Sequence, residues 1–136
     1  MSPSARIFCG IILLTVPSII YGGYFLLTIL SGKSKLPLTE FQRSMFRAGH
    51  AHAGVLVILS LIAEILIDHA SLGNGIILLV RIGFPLAAIL VSGGFFASAI
   101  GKGAHSPNSL IAILYTGLTV LIVSVLVLGI GLVSSS

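Results

Sequence analysis

An all-α integral membrane fold, a four-helix bundle running up-down-up-down, follows from three features of this chain. Only 7% of its 136 residues are charged, where a water-soluble domain carries roughly 25%. Hydrophobic residues make up 57%, and the mean hydropathy is +1.21. The apolar residues fall into four runs of about 20 residues or more, each long enough to cross a bilayer as a helix that satisfies its own backbone. The linkers between runs are short, which sets consecutive helices antiparallel.

The first predicted helix covers 7–30. It is too long for the apolar region of a secretory signal, and no small-x-small cleavage site follows it. Cys9, the only cysteine, reads as apolar filler, and no intramolecular disulfide is possible. Ser31-Gly32-Lys33-Ser34-Lys35-Leu36-Pro37 ends this run with glycine and proline where a helix stops. The second predicted helix covers 45–67, and Thr39 with Gln42 ahead of it has capping-box spacing. Ser71-Leu72-Gly73-Asn74-Gly75 makes the second turn, and the third helix is expected over 76–100. After the loop Gly101 to Asn108 the fourth is expected over 110–133, with Asn108 or Ser109 as its cap. The whole chain, 1–136, is one such domain, similar to small four-helix bacterial membrane proteins, which places it in the bacterial inner membrane.

The net charge of +4 is not a nucleic-acid signal, because the basic residues stand at loops and helix ends. Lys33, Lys35, Arg43 and Arg47 flank the first loop and Lys102 the third, against Arg6 before the first helix and Arg81 inside the third. The positive-inside bias puts loops one and three in the cytoplasm. Sixteen glycines are many for a chain of this length. In lipid, small residues let helices approach closely, and Gly49-x-x-x-Ala53 and Ala97-x-x-x-Gly101 have that spacing. Tight packing within the chain, or between copies in a homo-oligomer or larger membrane complex, is the expected use.

Ionisable residues at membrane depth are functional candidates. On the second helix, relative to His50, Arg43 falls at about 20°, Arg47 at about 60°, Glu64 at about −40° and Asp68 at about 0°. This stripe should face the bundle interior. His52 lies about 200° round, on the opposite side. Two imidazoles so placed cannot chelate one ion. They can be one buried ligand plus one helix-contact residue, or ligands to two separate centres. Folding the second hairpin about residue 72 or 73 brings Arg81 level with Glu64, so these two should pair. That pair reads first as a structural lock and second as part of a proton path. Folding the first hairpin about residue 38 sets Tyr24 level with His52, with Tyr21 a turn deeper. His105 in loop three joins the same end of the bundle. His69 closes the second helix, where the dipole favours it.

Gly49-His50-Ala51-His52-Ala53-Gly54-Val55-Leu56 resembles the Gly-His-x-His-small-Gly-x-Leu stretch of heme-copper oxidase catalytic subunits, of the cbb3 and nitric-oxide-reductase type. The resemblance implies that His50 and His52 are heme axial ligands, with Arg43, Arg47, His105 and Tyr24 around the cofactor, a heme b. It covers about eight residues and does not extend to the copper histidines, so oxygen reduction is not implied. Three function classes follow. The first is a heme-binding membrane protein for electron transfer, gas binding or heme handling. The second is a proton- or ion-coupled module using Arg47, His50 and Glu64, and the third is a scaffold or accessory subunit without a cofactor.

Overall fold

A computed structural model describes residues 1–135. It contains four long α-helices, α1 (Pro3–Leu30), α2 (Glu40–Leu66), α3 (Asn74–Ser98) and α4 (Ile111–Val133), with a 3₁₀ turn, Ile67–His69, after α2. All four are long and apolar enough to cross a membrane.

Capping chemistry sets the helix starts. Ser2 accepts from the Ala5 N–H at 3.1 Å with Pro3 as the first helical residue, so α1 begins four residues before the apolar run suggests. Both halves of the Thr39/Gln42 capping box are made, and they start α2 at Glu40 rather than 45. The fourth helix differs from expectation. Its cap position is Leu110, without a side-chain bond. The Asn108 amide donates instead to the Ala97 and Ile100 carbonyls, closing α3, while its Oδ1 accepts from the Leu110 N–H. One side chain thereby satisfies orphan groups of two helix ends.

α3 is the hub. It packs extensively on α2 and on α4, and ten of its 25 residues are buried, against four of 28 in α1. Neighbours meet end to start. Ser2 of α1 reaches Asp68 after α2, while Gly22 and Gly23 meet His50. Gly49 meets Phe95 and Phe96, and Gly94 meets Leu114. One core layer gathers Ala63, Ile67, Val80, Phe84 and Leu128, and a second gathers Leu56, Ala88 and Val91. In Gly49-x-x-x-Ala53 the glycine marks a close approach, since a Cβ at Gly49 would stand 2.9 Å from Phe96, while Ala53 lines open space. Ala97-x-x-x-Gly101 does not: α3 ends at Ser98, and Gly101 has φ of 140° in the loop, a conformation that side chains disfavour.

Loops one and three are latched together by Gln42. Its Oε1 completes the capping box, and its Nε2 donates to the Ala99 and Gly101 carbonyls, both at 2.9 Å. Thr39 adds a hydroxyl bond to the Ala104 carbonyl. Gln42 is buried, so truncation would strand these carbonyls. We expect Gln42→Ala to lower stability by about 2 kcal/mol, read as the shift in thermal unfolding in detergent. A change within about 0.5 kcal/mol, typical of a surface substitution, would contradict the latch.

Candidate functional site

Residues 49–54 lie within α2, and the two imidazoles diverge as the helical pitch requires. His50 is half-buried in the seam with α1, where two glycines make room for it. A Cβ at Gly23 would stand 3.1 Å from Nε2, and one at Gly22 3.5 Å from Nδ1. Among the described residues neither ring nitrogen has a hydrogen-bond partner. His52 is exposed on the other side, its ring 4.8 Å from the Phe95 ring of α3. Its Nδ1 lies 2.8 Å from the Ala48 carbonyl. A carbonyl oxygen only accepts, so Nδ1 carries the proton and the neutral ring keeps its lone pair on Nε2.

The other candidates stay apart. Arg43 and Arg47 are exposed on α2, and His105 is exposed in loop three. Tyr24 is 63% exposed and Tyr21 72%, so both turn outward from α1 rather than toward His52. His69 is exposed in the 3₁₀ turn. Among the described residues, no three His, Cys, Asp or Glu side chains are grouped to hold a metal ion.

The strongest electrostatics lie at the opposite end. Arg81 stands 3.4 Å from Glu64, side chains 5% and 2% exposed, as their common depth predicts. Its closer partner is Asp68, at 2.7 Å from Nη2. A helical Cβ leans toward the helix N-terminus, and the N-terminus of α3 lies beside Asp68, so the guanidinium reaches past Glu64. Asp68 also accepts from the Ser2 backbone N–H (2.6 Å) and hydroxyl (2.8 Å). The Phe8 ring lies 5.9 Å from the guanidinium carbon. The cluster thus pins the start of α1 to α2 and α3. Asp68 was visible on the α2 stripe; the lean of Arg81 was the signal that would have paired them. Ser2 and Phe8 left no such signal, because the contact joins distant segments.

No family model, curated protein or solved structure matches this chain.

Proposed function

We propose that the chain is a membrane electron-transfer protein that holds a heme b through His52. The supporting observation is the bond from His52 Nδ1 to the Ala48 carbonyl. Metal-ligating histidines almost always donate their second ring N–H to such an acceptor, which fixes the tautomer and raises the basicity of the free nitrogen. Here that nitrogen is Nε2, on an exposed side chain braced by Phe95. His50 takes the other role open to it, the helix contact against Gly22 and Gly23.

A ligand on the outer flank of a bundle needs covering. In this reading a second copy, or a larger membrane complex, would close that side, and the His52 of a second copy would supply a further ligand to the heme. Arg43 and Arg47 stand about 180° and 140° round α2 from His52, so they are not placed to meet propionates on that flank. Bound heme supplies one-electron chemistry. The chain supplies the oriented imidazole and apolar surroundings. Loops one and three, joined through Gln42 and Thr39, form the cytoplasmic end in a bacterial inner membrane. A proton path through Arg47, His50 and Glu64 is the weaker reading, because Glu64 is already held by Arg81.

Protein purified in detergent from heme-replete cells should show a Soret band that shifts with dithionite, at about one heme per two chains. His52→Ala should lose at least nine-tenths of that absorbance, and His50→Ala should keep most of it. Colourless wild-type protein would reject the proposal and leave a cofactor-free scaffold.

A further inference from the structure

α1 is held at both ends and open in its middle. Ser2 and Phe8 fix one end to the Arg81 cluster, and Gly22 and Gly23 fix the other against His50. Between these points a cavity of about 250 Å³ separates α1 from α2 and α3. Its wall is almost entirely apolar, with Thr15 and Ser18 from α1, Ala53 and Ser60 from α2, and Pro85 and Ser92 from α3.

Three of the four hydroxyls are already used. Thr15 donates to the Ile12 carbonyl, Ser18 to that of Thr15 and Ser60 to that of Leu56. Ser92 differs. It is 7% exposed, and its Oγ has no hydrogen-bond partner among the described residues, not even in its own helix. A buried hydroxyl without a partner costs about 1–3 kcal/mol, and the residue that carries this one lines a space large enough for a small molecule, into which χ1 rotation would turn it. The α1 wall is also the weak one. Pro17 lacks the N–H that would bond the Leu13 carbonyl, which loosens the helix beside the cavity.

We infer that this cavity binds the head of a membrane-dissolved quinone, with Ser92 donating to a ring carbonyl. The chemistry selects the class. The wall offers no cation to an acid, so the ligand is neutral; the free donor asks for a carbonyl oxygen; the remaining surface asks for an apolar ring. Depth selects against a phospholipid. Ser92 is six residues from the midpoint of α3, about 9 Å at 1.5 Å per residue, while the hydrocarbon core extends about 15 Å from its centre. Ester carbonyls lie outside that core. The site is separate from His52, and the inference does not depend on heme.

The test uses the full chain in nanodiscs of ether lipids, photolabelled with an azido-quinone and competed with decylubiquinone. Labelling should saturate, map to residues 11–19 and 85–92, and be displaced by decylubiquinone. Ser92→Ala removes a hydroxyl that has no partner, so it should fold as well as the wild type and need roughly three- to tenfold more quinone, the size of one neutral hydrogen bond. Ala53→Leu should fill the space and abolish labelling. Three results would overturn the inference: labelling that does not saturate, equal displacement by hexadecane (an acyl-chain groove only), or affinity unchanged in Ser92→Ala.

Discussion

Arg81→Met is expected to destabilise the protein by about 3–5 kcal/mol, the usual cost of removing one partner from a buried ion pair. The side chain of Glu64 is 2% exposed and would be left facing apolar neighbours without its cation. Asp68, with 16% exposed, would keep its two bonds from Ser2 but lose its ion pair with Arg81. Most of the loss should therefore come from Glu64. Combining Arg81→Met with Glu64→Leu is expected to recover at least half of it, because both buried charges are then gone. Arg81→Lys should not rescue. One ammonium cannot reproduce a fork whose Nη1 faces Glu64 while its Nη2 bonds Asp68 and Ser2. Unfolding equilibria in mixed micelles measure all three variants. A loss below about 1 kcal/mol for Arg81→Met, the range of a solvated surface pair, would show that water reaches the cluster and that it is no lock.

The same cluster shows what could be read in advance and what could not. Helix number, the capping box and the common depth of Arg81 and Glu64 follow from periodicity and loop length, which are local properties. The divergence of His50 and His52 follows from helical pitch alone. Partners of those side chains are another matter. Nothing near Gln42 in sequence says that its amide serves the Ala99 and Gly101 carbonyls, 57 and 59 residues away. Tyr24 illustrates the converse. Chain folding predicts its depth, level with His52, but depth does not fix rotation about the α1 axis, and the ring faces outward. α1 is anchored by few groups, so its own pattern gave little guide to which face turns inward. The open groove beside Ser92 has the same origin.

Glycine substitutions in α3 and α4 should separate by position, with Gly94→Ala in the seam costing about 3 kcal/mol and Gly129→Ala on the open face of α4 slightly stabilising. Both glycines lie in apolar helices, where alanine is intrinsically favoured by roughly 1 kcal/mol. At Gly129 nothing stands within 4 Å of the added methyl, so that preference is free to act, and a small stabilisation is expected. At Gly94 the methyl would stand 2.5 Å from the Leu114 backbone nitrogen and 2.6 Å from its Cα. A backbone cannot rotate aside as a side chain can, so the helices must part. Gly117 makes the reciprocal approach, 2.7 Å from the Val91 nitrogen, so Gly117→Ala should cost a similar amount. Overpacking of this kind costs about 1–3 kcal/mol. The high end applies here because α3 holds both core layers, and moving it from α4 also loosens Val80, Phe84 and Leu128. Small residues matter in lipid because packing replaces the hydrophobic drive between helices. If Gly94→Ala and Gly129→Ala unfolded at the same midpoint, close approach of α3 and α4 would contribute nothing to stability.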